Sequence, residues 1–224
     1  MNVLITGISK GLGLALAKEY HKRGDNVLGV SRSLPGDLPE GIGHEYADIT
    51  LDESKDTIER LVKDLACIDL VINNAGCGSL GAEAESVEIS EVSYQLQLHC
   101  VGALRVVQAV LPKLHESTNP KIINITSRLG SIRQNLSGEF AGRSFSYPYR
   151  IAKCAQNMLT VCMEGDRSLD DMVVAAINPG LVKTGSASSD AMYTAEDAAS
   201  RIVSLIDTIE NFGIYHAFGD EAYL

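Results

Sequence analysis

Apolar runs of strand length alternate along this chain with stretches of helical periodicity, almost from end to end. Residues 3–6, 26–30, 68–73, 121–126 and 172–177 read as buried strands, with a weaker one at 44–46 and a last one near 212–217. Helical patterns fall between them at 12–22, 53–65, 92–114, 149–163 and 195–209. Strands with so little polar alternation have to be covered on both faces, which implies a parallel sheet wrapped by crossover helices. Right-handed crossovers then give a doubly wound, Rossmann-like α/β fold of about seven strands. Residues 34–43, 128–146 and 185–193 carry neither pattern and are expected as loops, and the last helix opens on Thr194-Ala195-Glu196-Asp197, close to a capping box.

A chain of 224 residues suits one domain, expected over 1–224, with 128–146 as a loop insertion and 185–193 as a short substrate lid. The hydrophobic share of 45% with 21% charged residues excludes a disordered or fibrous chain. A formal net charge of −10 argues against nucleic acid and against an anionic membrane surface as partners. Cys67, Cys77, Cys100, Cys154 and Cys162 are odd in number, scattered and without a Cys-x-x-Cys, which suits reduced thiols and offers no metal site. No apolar run reaches the 18 or so residues needed to span a bilayer, and Val3-Leu4-Ile5 opens the chain where a signal peptide would carry charge. A cytoplasmic location is the expectation.

The first strand runs into Thr6-Gly7-Ile8-Ser9-Lys10-Gly11-Leu12-Gly13 and then a helix. In such a turn Gly7 allows the tight bend, Gly11 lets the backbone approach a pyrophosphate, and Gly13 permits close packing of helix on strand. The helix N-terminus adds free N–H groups and a positive dipole end. Further on, Tyr149 and Lys153 stand four residues apart and share a helix face. A phenol with a pKa near ~10 is a poor acid or base at neutral pH, and a neighbouring ammonium is expected to draw it down. Ser127 closes the fifth strand, and ligands of open parallel sheets sit beyond such carboxyl ends. Of the two tyrosines there, Tyr147 and Tyr149, only Tyr149 has a lysine four residues on.

The glycine turn, Asn73-Asn74-Ala75-Gly76, Ser127, Tyr149 with Lys153, and Asn178-Pro179-Gly180, in this order and each at a strand end, resemble the classical short-chain dehydrogenase/reductase family. The likeness covers essentially the whole chain and is nearest to the carbonyl-reductase-like and C-factor-like branches, where a longer segment before the Tyr covers the substrate side. It implies an NADPH-dependent oxidoreductase that reduces a carbonyl compound to an alcohol, reversibly. Tyr149 would donate the proton, Lys153 would lower its pKa and hold the nicotinamide ribose, and Ser127 would orient the oxygen. The cofactor would lie on Gly7, Ser9, Lys10, Gly11, Leu12 and Gly13. Asp48 and Ile49 would meet the adenine, and Asn74, Ala75 and Gly76 the ribose. Pro179, Gly180, Val182 and Thr184 would frame the nicotinamide. Asp48 serves equally well as a cap for the helix after Thr50.

An NAD enzyme places an acidic residue at the end of the second strand. Here Ser31-Arg32 stands there with Lys10 in the glycine loop, which suits the 2′-phosphate of NADP(H). Where relatives place an Asn three residues before Gly102, this chain has His99. The resemblance gives that position support of a water beside the Lys, partly through a local backbone irregularity. His99 either takes that part in a proton relay or is a packed histidine. Arg128, Arg133 and Arg143 face only Glu139 in the long segment, and are either a site for a polar or anionic substrate or solvated surface charge. A second reading of the whole is an NADP(H)-binding sensor or signalling protein with little turnover. The family often pairs through the long helices at 92–114 and 149–163, so a homodimer is expected.

Overall fold

In the computed structural model, residues 1–78, 83–140, 146–183 and 191–219 are described. Seven strands, β1 (Asn2–Thr6), β2 (Asn26–Ser31), β3 (Gly43–Tyr46), β4 (Leu70–Asn73), β5 (Lys121–Ile125), β6 (Val173–Asn178) and β7 (Gly213–His216), form one sheet in the order β3-β2-β1-β4-β5-β6-β7. Every pairing is parallel. The order reverses between β1 and β4, and a crevice opens at such a switch point beyond the strand ends.

Side chains alternate across the sheet and build two separate cores. Val3, Ile5, Leu70, Ile72, Ile123 and Ile177 point to one face, where α1 (Gly11–Lys22) and α7 (Ala195–Thr208) cover them with Leu16, Tyr20, Ile202 and Ile206. Leu4, Val71, Ile122 and Val174 point to the other, under α2 (Ser54–Val62) and α4 (Gly102–Leu114) with Ile58, Val106 and Val110. On that second face α6 (Tyr147–Glu164) packs against α3 (Ile89–Leu96). The capping box of α7 is complete: the Thr194 side chain accepts from the Asp197 amide, and Asp197 accepts from the Thr194 amide. No helix among the described residues is long and apolar enough to cross a membrane.

Two expectations need correction. The single helix at 92–114 is α3 and α4 joined by a π-helical turn, Gln97–Val101, with one residue wedged into the ladder at His99. Hydrophobic periodicity does not register such a wedge, because the flanking turns keep their faces. The loop 128–146 is also partly structured: a 3-10 turn, Arg128–Gly130, leads into α5 (Ile132–Leu136). Ser131 caps α5 by accepting from Gln134 N at 3.2 Å, a Ser-x-x-Gln start signal too short to stand out by periodicity. Asn135 donates to Leu129 O and Ser131 O and accepts from Arg150, which ties α5 onto α6.

The glycine turn is set by contact. A Cβ on Gly13 would lie 2.3 Å from Gly7 O and 2.4 Å from Asn74 Nδ2, so α1 reaches this close to β1 and β4 only with hydrogen there. Gly13→Ala should therefore cost about 1–3 kcal/mol in urea unfolding. Gly36→Ala, whose Cβ would meet nothing within 4 Å, should be neutral.

Candidate active site

Beyond the carboxyl ends of β1, β2 and β4 lies a groove of about 700 Å³, lined by Gly7, Ser9, Lys10, Gly11, Leu12, Gly13, Ser31, Arg32, Asp48, Ile49, Asn74, Ala75 and Gly76. All thirteen are residues that the sequence points to. Gly7 and Gly11 take φ of 76° and 58°, conformations that side chains disfavour. The first amides of α1 have no helical partner and face a place for an anion. Ser33, Cys77 and Lys183 also line the groove and carry no motif of their own. Lys10, Arg32 and Lys183 thus put three cations at its walls.

The cofactor positions differ in what else they hold. Ser31 is buried and its hydroxyl is engaged, donating to Ser33 O at 2.7 Å and sharing a 2.8 Å hydrogen bond with His44 Nε2. Arg32 is largely exposed, donates to the Tyr94 hydroxyl at 2.9 Å and sits 3.9 Å from the Asp48 carboxylate. Asp48 accepts from both the amide and hydroxyl of Thr50, so it lines the groove and shapes the turn at once, while α2 begins only at Ser54. Asn74 ties β4 to the glycine turn through Thr6 and Gly7. Pro179, Gly180 and Val182 follow β6, where Gly180 takes φ 78° beneath the stacked rings of Tyr193 and Phe218 and Val182 bridges Tyr193. Thr184 and Arg143 lie outside the described residues.

Ser127, Tyr149, Lys153 and His99 come together beside this groove. The 3-10 turn after Ser127 packs so closely on α6 that a Cβ on Gly130 would lie 2.7 Å from the Lys153 carbonyl carbon. That approach sets Ser127 beside Tyr149, near enough for the serine hydroxyl to favour the ionised phenol. Thr126 turns the other way, onto Asn157. Lys153 is 4% exposed, donates to Ile125 O at 2.6 Å and to Gln156 Oε1 at 2.8 Å, and lies 5.8 Å from the Tyr149 ring centre. Gln156 is a site residue that only its place one turn beyond Lys153 could have flagged. Arg128 pairs with Glu139 at 2.8 Å, and it and the exposed Arg133 line a cavity of about 370 Å³ that also takes in Ser127.

One electrostatic expectation is overturned. The Tyr149 pKa is raised, chiefly by burial, with the Ser127 hydrogen bond opposing and Cys77 adding to it. Lys153 does not bring it down, because burial lowers the lysine itself to about 7, against a smaller upward pull from Cys77. His99, 1% exposed, stands edge-on to Tyr149 with ring centres 5.5 Å apart. Its Nε2 meets Cys77 O at 3.2 Å, so Nε2 carries the proton and Nδ1 is left as a buried acceptor with no partner among the described residues. Burial first, then the charge of Lys153, hold His99 well below its ordinary range, against the Cys77 hydrogen bond, and the ring is neutral at pH 7. His99 is therefore both packed and in the site, at the backbone irregularity of the π turn.

The short chain dehydrogenase family model matches residues 1–193. The chain is 31% identical over 214 residues to 1-hydroxy-2-glutathionyl-2-methyl-3-butene dehydrogenase of Rhodococcus sp. (strain AD45), covering 92% of this chain and 91% of that one. It is 31% identical over 140 residues to C-signal of Myxococcus xanthus, covering 62% of this chain and 81% of that protein. Over 210 residues it is 28% identical to the NADPH-dependent pterin aldehyde reductase of Arabidopsis thaliana, covering 88% and 83%. Among solved structures, carbonyl reductase Sniffer of D. melanogaster is similar at a TM-score of 0.86 and 25% identity, covering 100% of this chain and 99% of that one.

Lys153 also makes stability depend on pH. Between about 7 and the ordinary 10.5, the unfolded chain holds a proton that the folded chain lacks, so stability rises with pH across that window. Lys153→Met should thus stabilise the protein by on the order of 2–4 kcal/mol below pH 7. Urea unfolding at pH 6 and pH 10 should show that gain shrinking at the higher pH, and an equal gain at both would contradict the depressed lysine.

Proposed function

The chain belongs to the short-chain dehydrogenase family, and from that premise we propose that it is an NADP(H)-dependent oxidoreductase that reduces a carbonyl compound to an alcohol, reversibly. The observation that carries this is Ser127, just past the end of β5, set beside Tyr149, with Lys153 one turn along α6 and the glycine-lined groove beside them. The groove fits a dinucleotide: its floor is backbone that a Cβ would fill at Gly7 and Gly13, and a helix N-terminus opens into it. Lys10, Arg32 and Lys183 supply charge for the extra phosphate of NADP(H), and no acidic residue follows Ser31 where an NAD enzyme carries one. The NADPH dependence of the Arabidopsis reductase agrees with this choice.

When bound, the nicotinamide supplies or accepts the hydride. The protein's part is position and proton. With its pKa raised, the Tyr149 hydroxyl is protonated at neutral pH and can give its proton to an oxygen on which charge builds. Ser127, beside that phenol, would hold the same oxygen and stabilise it. Lys153, 5.8 Å from the Tyr149 ring centre, would hold the nicotinamide ribose with its third N–H. Neutral His99 keeps a second cation out of the site. Exposed Val101, Leu104, Ile151 and Met158, on or beside α4 and α6, give the expected homodimer an apolar face. A second reading, a nucleotide-binding signalling protein with little turnover, has the likeness to C-signal in its favour.

Turnover separates the two. A panel of aldehydes and ketones, including a glutathionylated aldehyde, should give steady NADPH oxidation by the wild type, and silence across the panel would favour the signalling reading. Tyr149→Phe should lower kcat by on the order of 10²–10⁴ while leaving NADPH affinity nearly intact. Substantial turnover in that variant would sink Tyr149 as the donor. Arg32→Ala should weaken NADPH binding about tenfold or more and leave NADH unchanged, as read by fluorescence titration.

A further inference from the structure

Lys153 is the most deeply buried cation of the site, and what holds it is unusual for a lysine. Its ammonium has three N–H groups. One goes to Ile125 O on β5 at 2.6 Å and a second to the side-chain oxygen of Gln156 at 2.8 Å. Gln156 is 1% exposed and lies one turn along α6 on the same face.

The backbone there is itself clamped. Thr160 Oγ1 donates to Gln156 O at 2.9 Å and accepts from Asn124 Nδ2 at 3.0 Å, and Asn124 Oδ1 accepts from Asn73 Nδ2 at 2.9 Å. Asn73, Asn124, Thr160 and Gln156 are all buried. A polar ladder thus runs from β4 across β5 into α6 and ends at the turn that carries Gln156.

We propose that Gln156 is a positioning residue for Lys153: its amide oxygen takes one ammonium N–H, and with Ile125 O taking another it fixes where the remaining donor points. This rests on the reductase reading of the same site. The amide is a neutral acceptor. It steadies the ammonium in a desolvated place without the full attraction of a carboxylate, and so leaves the lysine able to change partners and protonation near neutral pH. The titratable groups facing Lys153 are Tyr149 from its own helix, His99 from the π turn, and Cys77 from the segment after β4.

The test follows Lys153 directly, in cofactor-free protein labelled with ¹³C-lysine, its Cε signal identified by its loss in Lys153→Arg. Gln156→Leu should move the Lys153 titration to lower pH, and Gln156→Glu should move it higher by about one unit or more. Activity should follow: kcat in Gln156→Leu falls roughly 10- to 100-fold, more than NADPH affinity does, and its pH profile shifts in the same direction as the titration. Thr160→Val is the structural comparator, since it cuts the clamp on the helix and spares the amide. Unchanged Lys153 titration in both Gln156 variants, or an equal shift in Thr160→Val, would overturn the proposal. If Gln156→Leu does not fold, Gln156→Glu decides alone, upward shift for and no shift against. An inactive wild type with the expected titrations would fault the reductase reading and leave the hold of Gln156 on Lys153 standing.

Discussion

A parallel sheet buried on both faces leaves polar chemistry almost nowhere to go except the rim at its strand ends. Here the constraint is severe: β1, β4, β5 and β6 are nearly dry along their length, with Leu4, Ile5, Ile72, Ile122 and Ala175 fully covered. Each strand therefore changes character at its last residues. Thr6, Asn73, Ser127 and Asn178 stand where the apolar runs stop. Thr6 Oγ1 accepts from the amides of both Asn74 and Ala75, so the glycine turn and the end of β4 move as one piece. The placement of the site follows from the packing of the sheet.

That rim also explains why so much of the fold was legible in the sequence. Strand-length apolar runs with few polar breaks announce two-sided burial, and all seven strands appear in the expected places, with boundaries off by a residue or two. The glycine turn was equally legible, because a steric need for Gly13 leaves glycine and little else. Less legible were features set by one residue against its surroundings. The π turn at Gln97–Val101 leaves the hydrophobic faces of α3 and α4 in phase, so periodicity is blind to it. Short α5 depends on the Ser131 cap and on Asn135 reaching Arg150, a contact fifteen residues apart in sequence.

The catalytic candidates divide along the same line. Tyr149 and Lys153 declare themselves by spacing, and Ser127 by its strand end. Lys183 and Gln156 do not, since a lysine in a loop and a glutamine in a helix are ordinary until the fold sets one at a groove and the other against a buried ammonium. The electrostatics were the least legible of all. A Tyr-x-x-x-Lys pair suggests attraction that lowers the phenol, but the outcome depends on how much water remains, which spacing does not encode. In this site desolvation is the largest influence on Tyr149, Lys153 and His99 alike.

One consequence follows for how the three groups work together. Desolvation pushes each toward its neutral form, the phenol by raising its pKa and the two bases by lowering theirs. The charge of Lys153 also opposes a charge on His99, so a second cation is disfavoured there. Protonating His99 would drive Lys153 further toward the neutral amine; burial holds His99 from that, against Cys77 O, which favours the charged ring. Packing the ring away from water therefore matters as much as the lysine's own partners. Gly76 makes it possible, since a Cβ there would lie 2.5 Å from the imidazole Cε1. The glycine next to the groove thus keeps the histidine packed and neutral, which in turn reserves the site's one positive charge for Lys153.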